Sequence, residues 1–463
     1  MMLLSQAARA LGARLIGPDV LFHAVSSDSR AIAPGDLFVA LQGERFDGSA
    51  FVAGALQGGA AAAMVNADRA DELAATLPSQ SSILAVEDTR LALGRLAAHW
   101  RAQFAIPLVA VTGSNGKTTV KEMLASILGV AAGSADAVLA TRGNFNNDIG
   151  MPLTLLKLRK THRYAVIEMG MNHPGEIDYL TRIARPDVAI INNASGAHLA
   201  GLGSVEAVAR AKGEIFSGLP ANGIAVINAD DDYAPLWREL AGSHSTIQFG
   251  LECAVAIHAQ WEVRGYGARI EVDTPQGSFN AALQVPGAHN VRNAMAATAA
   301  AVALNIPLPD IAAGLEKFSG VGGRLQRKPA LHGAMLIDDT YNANPASLHA
   351  AIRVLMQAAG KKILVLGDMG ELGTDAAQLH AGIGAEARDV GVDKLLALGE
   401  LSVHAVREFG PGAQHFERIE DLFAALDKSL DADSTVLVKG SRFMKMERVV
   451  QHCTQGEETC CSH

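Results

Sequence analysis

Cysteine is scarce in this chain. Four occur among 463 residues, three of them (Cys453, Cys460 and Cys461) within the last eleven positions, so no disulfide framework can hold a chain of this length. A metal site in that tail needs a second spaced Cys/His pair, which the sequence lacks, and a frayed terminus is the expectation. Positive charge is also short: the formal net charge is −9, which leaves no electrostatic footprint for nucleic acid. Long apolar runs are missing too. Met1-Met2-Leu3-Leu4 is soon interrupted by Ser5, Gln6 and Arg9, so neither a secretory signal nor membrane insertion is expected, and a cytoplasmic location follows. Aromatics make up only 5%, and no internal repeat or low-complexity linker is present. What remains is a composition 49% hydrophobic, 19% charged and rich in glycine and alanine, which suits an α/β enzyme rather than a fibre or a disordered chain. At about 100 to 200 residues per domain, the length predicts three domains.

The most informative stretch is Thr112-Gly113-Ser114-Asn115-Gly116-Lys117-Thr118-Thr119, which follows the apolar run Pro107–Val111 and opens a helical pattern. Backbone N–H groups of a Gly-rich turn at a helix N-terminus attract oligophosphate, Lys117 supplies a point charge, and Thr118 a hydroxyl for magnesium. Val111 stands where the standard phosphate-loop pattern has its first glycine, so this reads as a shortened loop for ATP or GTP. No Asn-Lys-x-Asp guanine selector is found.

The fold class is α/β in three parts. Residues 1–103 read as a compact α/β unit, with a helix at Leu4–Leu11, a strand at Asp36–Leu41 and an alanine-rich helix at Ala50–Gln57. Residues 104–323 alternate strands (Leu108–Val111, Tyr164–Glu168, Val188–Ile191, Ile224–Ile227) with helices, which implies a largely parallel sheet. Antiparallel hairpins are expected between Ala254 and Val285, then a helix at Asn290–Leu304. Gly320-Val321-Gly322-Gly323-Arg324 marks a hinge-like boundary. Residues 324–463 form a Rossmann-like unit, with strands at Ala334–Asp338, Ile363–Leu366, Lys394–Leu398 and Thr435–Val438. Nothing in it matches G-x-G-x-x-G in the right place, so a dinucleotide is not indicated.

Polar residues at the carboxyl ends of these strands are the candidate chemistry. Glu168 ends its strand and can hold magnesium opposite Lys117, or be a solvated carboxylate. The loop Gly143–Gly150, with Asn144, Asn146, Asn147 and Asp148, suits a substrate-facing surface, although Asn and Gly also favour plain turns. His198 and Lys212, taken alone, read as a local hydrogen-bonder and a solvated helical charge. Asn290 and Asn293 sit three apart at a helix start, where helix capping by Asn290 competes with ligand binding. Asp338–Pro345 and Leu366–Gly373 each follow a strand of the third unit.

Taken together, these segments resemble the Mur ligase family, ATP-dependent amide-forming enzymes of bacterial cell-wall synthesis, over nearly the whole chain. Gly143–Gly150, Asp339–Pro345 and Gly367–Gly373 are similar to the branch that adds D-alanyl-D-alanine. The diamino-acid-adding branch usually carries Tyr-Ala-His-x-Pro where this chain has Tyr341-Asn342-Ala343-Asn344-Pro345, and an Asp-Asn-Pro-Arg selector that is absent here. The resemblance implies a central P-loop ATPase domain, flanked by an N-terminal UDP-sugar-binding domain and a C-terminal domain for the incoming dipeptide. It implies ATP and two Mg2+ ions, one held by Thr118 and Glu168, the other by Glu168, His198 and a carbamylated Lys212. Lys117 and Asn144 would join them in catalysis. Asn290, Asn293, Arg324 and Asp339 would contact the nucleotide, and Ser29, Arg30, Phe46 and Asp47 the UDP-substrate. Ser49 stands where relatives often have His. Tyr341, Asn342 and Asn344 would face the dipeptide. The implied substrates are UDP-N-acetylmuramoyl-tripeptide and D-alanyl-D-alanine, handled by a monomer. Another amide ligase of the superfamily, of the diamino-acid-adding or the folylpolyglutamate synthetase-like kind, and a nucleotide-switch protein are the competing readings.

Overall fold

Buried apolar runs alternating with amphipathic helices build three sheets in the computed structural model, which describes residues 1–43, 46–196 and 202–454. His198, the Glu44-Arg45 part of the N-terminal loop and the Cys460/Cys461 tail lie outside the described residues. The first sheet has five strands in the order Arg14–Ile16, Ile83–Val86, Ala62–Asn66, Asp36–Val39, Ala24–Ser26, all parallel except the first. The expected strand at Asp36 ends two residues early, at Val39. The expected helix at Ala50 begins as a 3-10 turn, Gly48–Phe51, and becomes α-helical over Val52–Gln57.

The central sheet has nine strands. Val138–Ala140, Tyr164–Glu168, Leu108–Thr112, Val188–Ile191, Ile224–Asn228, Ser245–Gly250 and Ile257–Arg264 lie side by side and parallel, and Gly267–Thr274 and Gly277–Leu283 close the edge as antiparallel hairpins. Leu108–Thr112 is fully buried, as a parallel strand covered on both faces must be, which is why it reads as a continuous apolar run. The helix Lys117–Ala131 lays Val120, Met123, Leu124, Ile127 and Leu128 on that sheet at helical spacing. Helix Leu308–Lys317 meets it almost backbone to backbone: a Cβ on Gly314 would stand 2.3 Å from Ile127 Cα.

The third sheet runs Gln326–Pro329, Met335–Asp339, Ser434–Lys439, Lys361–Gly367, Lys394–Leu398, Ala413–Phe416, parallel after an antiparallel first strand. The first unit shares one apolar core with the central sheet: Leu93, Leu96 and Trp100 pack with Leu155, Leu158, Ile177 and Leu180. Trp100 Nε1 donates to Leu158 O at 3.1 Å. The third unit keeps its own cores on the two faces of its sheet. It meets the central unit mainly across a cleft, where the carboxyl ends of both parallel sheets face each other.

Candidate active site

The phosphate loop is shaped by two glycines. Gly113 (φ +155°) and Gly116 (φ +79°) turn the chain from the buried strand into the helix. Gly116 has no room for a methyl group: its Cβ would lie 2.4 Å from Asn293 Oδ1 and 2.5 Å from Asn192 Nδ2. Those amides are held by each other, because Asn192 Nδ2 donates to Asn293 Oδ1 (2.8 Å) and to Asn115 O (3.0 Å). Asn293 Nδ2 in turn donates to Asn290 Oδ1 (3.1 Å), and Asn290 Nδ2 to Pro286 O (2.7 Å). The helix starts at Ala288 with Gly287 as its cap, so Asn290 does not cap it and is free for this network. Substitution Gly116→Ala is therefore expected to remove nucleotide binding while the chain stays folded. Calorimetric titration with ATP, alongside circular dichroism, checks it; wild-type affinity would count against the geometry.

Lys117 folds back onto the loop, with Nζ donating to Gly113 O at 2.7 Å. Burial lowers its pKa and the nearby Arg324 adds to that, while Glu168 opposes both. Glu168, 2% exposed, accepts from Thr118 Oγ1 at 2.9 Å on one oxygen and from Asn146 Nδ2 at 2.8 Å on the other. Its backbone N–H donates to Thr141 Oγ1 at 3.0 Å. The buried Lys121, one turn beyond Lys117, anchors the same loop by donating to Thr141 O. Arg324 reaches from the boundary segment to donate to Thr118 Oγ1 at 3.0 Å, with its guanidinium 4.3 Å from the Tyr341 ring centroid. Its Nε is buried without a hydrogen-bond partner among the described residues.

Asp339 lies at the end of its strand and binds Lys439 Nζ at 2.6 Å, and it accepts from Leu325 N at 3.2 Å. Burial raises its pKa, and Lys439 works against that. Asn344 is spent twice: it caps the helix Pro345–Leu355, and its Nδ2 donates 2.9 Å to Asn115 Oδ1 in the phosphate loop. Asn342 O accepts from Lys439 Nζ at 2.9 Å. Asn115, Gly116, Lys117, Thr118, Asn146, Glu168, Asn192, Asn290, Asn293, Arg324, Asp339, Tyr341, Asn342, Asn344 and Lys439 line one cleft of about 1520 Å3, together with Asn144, whereas Thr112, Gly113, Lys121 and Thr141 do not.

Lys212 is 2% exposed rather than a solvated helical charge, and its Nζ has no hydrogen-bond or ion-pair partner among the described residues. Burial holds its pKa well below the ordinary lysine value, and the charge of Lys117 lowers it further. Ser29, Arg30 and Asp47 do not line the cleft. Arg30 instead pairs with Asp28 at 2.9 Å on the surface of the first unit, and Asp47 accepts from Ser49 N at 2.9 Å. Phe46 is placed only through its backbone, in the short ladder with Gln42–Gly43. Sequence reasoning missed Asn192, Asn193 and Lys439. All three stand at strand ends, where the rule that found Glu168 would also have found them.

A glycine-turned loop between a buried parallel strand and a helix, faced by a carboxylate from the next strand, defines a P-loop α/β fold; two further α/β units flank it here. The chain belongs to the Mur ligase family: the Mur ligase middle domain matches residues 111–301, the Mur ligase glutamate ligase domain residues 323–442, and the Mur ligase family catalytic domain residues 21–101. It is 43% identical to the UDP-N-acetylmuramoyl-tripeptide--D-alanyl-D-alanine ligase of Escherichia coli (strain K12), over 99% of both chains. Among solved structures it is similar to MurF from Acinetobacter baumannii (TM-score 0.89, 39% identity, covering 96% of this chain and 97% of that one). It is also similar to the MurF ligase of Thermotoga maritima in complex with ADP (TM-score 0.79, 28% identity, 93% and 96% covered). Among the described residues no helix is long and apolar enough to cross a membrane.

Proposed function

We propose that this chain joins D-alanyl-D-alanine to UDP-N-acetylmuramoyl-tripeptide at the expense of ATP, giving the pentapeptide precursor of peptidoglycan, ADP and phosphate. The observation that carries this reading is the convergence of Lys117, Thr118, Glu168 and Arg324 on one point between the two facing sheets. The near full-length likeness to ligases of that name supports it. Residues 1–103 take the UDP-sugar, 104–323 ATP, and 324–463 the dipeptide. Ser29, Arg30, Phe46 and Asp47 receive the UDP moiety. The loop Thr112–Thr119 with Asn290, Asn293, Arg324 and Asp339 receives ATP, and Tyr341, Asn342 and Asn344 face the dipeptide. The enzyme acts in the cytoplasm as a monomer.

Thr118 Oγ1 and the Glu168 carboxylate are hard oxygen donors 2.9 Å apart beside the phosphate loop. Magnesium keeps several waters and leans on one or two protein oxygens plus phosphate, so this donor set fits it. A second ion is assigned to Glu168, His198 and carbamylated Lys212. When bound, magnesium neutralises charge on the transferring oxygens. A buried lysine with a lowered pKa is in part a neutral amine, able to add CO2 as a carbamate and release a proton, and the adjacent Lys117 charge favours the resulting anion.

The protein's own part is then positioning and charge. Lys117 and the loop N–H groups hold the β and γ phosphates, while Asn144 orients the tripeptide carboxylate for in-line attack on the γ-phosphorus. The acyl phosphate so formed is attacked by the dipeptide amine, and the tetrahedral oxyanion collapses to the amide with loss of phosphate. Closure of the cleft about Gly320–Arg324 would keep water from the acyl phosphate. A coupled phosphate-release assay with each substrate omitted in turn tests the proposal: release that needs UDP-muramoyl tripeptide, ATP and D-Ala-D-Ala together supports it. Release that follows diaminopimelate, lysine or glutamate instead of D-Ala-D-Ala selects another ligase of the family.

A further inference from the structure

We infer that His380 is a positioning residue for the acceptor dipeptide, acting through the loop Met369–Gly373; this rests on the function proposed above. The loop leaves the carboxyl end of the strand Lys361–Gly367, and its Gly370, Glu371 and Leu372 line the cleft beside Tyr341, Asn342 and Ser441. It holds an unfavourable shape: Glu371, which is not glycine, has φ +62°. Such a conformation persists only where the surroundings over-determine it.

The start of the loop is fixed by Asp368, whose carboxylate accepts from Leu401 N (3.1 Å) and Ser402 N (2.7 Å) and whose backbone O accepts from Ser441 N (3.0 Å). The next residue, Met369, donates its N–H to His380 Nε2 at 2.9 Å. A backbone N–H can only donate, so Nε2 is the acceptor. The proton therefore sits on Nδ1, which donates to Ala376 O at 2.7 Å, just beyond the loop's other end. One fully buried neutral imidazole thus links the start of a strained loop to the first residue of its own helix, Ala376–Asp389, which follows that loop. Gly370 N donates to Ser441 Oγ (2.8 Å), and Ser441 Oγ donates to Ala343 O (3.2 Å), between the two asparagines assigned to the dipeptide. A shift of Met369 is transmitted through Ser441 to that wall. The imidazole is sealed from solvent beneath the loop, so its effect on the acceptor is indirect.

The two nitrogens can be separated by substitution. In His380→Gln the longer amide keeps an acceptor near the Nε2 position; in His380→Asn the shorter one reaches only Ala376 and leaves the Met369 N–H unpaired. Steady-state phosphate release, varying each substrate in turn, is expected to show KM for D-Ala-D-Ala raised about tenfold in His380→Asn. In that variant kcat and the KM values for ATP and UDP-muramoyl tripeptide should stay within about twofold, and His380→Gln should stay close to wild type throughout. A wild-type KM for D-Ala-D-Ala in His380→Asn overturns the inference, as does an equal loss toward all three substrates. Should that variant not fold, hydrogen exchange of Met369 N–H in the wild-type protein decides: slower exchange with bound D-Ala-D-Ala supports the role, and an unchanged rate overturns it. Wild-type turnover indifferent to D-Ala-D-Ala would instead overturn the proposed function, and this inference with it.

Discussion

Lys117→Ala is expected to lower kcat/KM for phosphate release by about a thousandfold, the scale on which a preorganised charge aimed at a transition state acts. Lys117 is not an exposed lysine that another cation could replace. Its Nζ lies 2.7 Å from Gly113 O inside the loop, in the field of Glu168, with Arg324 already engaged on Thr118. Lys117→Arg should fail nearly as badly, because a planar fork cannot take the place of a compact ammonium in so closed a turn. Binding of UDP-muramoyl tripeptide, followed by calorimetry without nucleotide, should be unchanged in both variants, which separates lost chemistry from lost folding. Ligation at the wild-type rate by the alanine variant, or in the absence of any triphosphate, would remove the proposed mechanism.

Lys212→Ala should cost about a hundredfold to a thousandfold in turnover, the range for loss of one electrostatic group at a reacting centre. The reason lies in burial: a lysine 2% exposed, beside a second lysine and without a described anionic partner, is a poor ammonium and a good neutral amine. As a carbamate the same side chain reverses sign and answers the Lys117 charge. Wild-type enzyme depleted of CO2 at mildly acid pH should lose activity and regain it on addition of bicarbonate, because a carbamate breaks down when protonated. The alanine variant should show no such recovery. Wild-type activity indifferent to bicarbonate after depletion would exclude the carbamate.

The phosphate loop was legible because everything that makes it is local: a buried strand, two turning glycines and a helix start within about a dozen residues. Glu168 was legible for a related reason, since strand ends of parallel sheets collect ligand groups. The hairpins were found through their alternating pattern, but not that Ile257–Arg264 pairs parallel with Ser245–Gly250 and so extends the central sheet to nine strands. In the first unit the strands Ala62–Asn66 and Ile83–Val86 are not legible, because short continuous apolar runs carry no period that separates strand from helix. The contacts that join distant segments left no local trace at all. Asn344 reaching Asn115 and Lys439 pairing with Asp339 each span long stretches of chain. The burial of Lys212 was hidden likewise, since a helical lysine looks the same in sequence whichever way its helix is turned.

Gly116 imposes a constraint on heredity. With two hydrogen-bonded carboxamides inside contact distance of its missing side chain, and a left-handed backbone besides, any other residue at this position must displace those amides and strain the turn. Lineages descended from this chain are expected to keep glycine here.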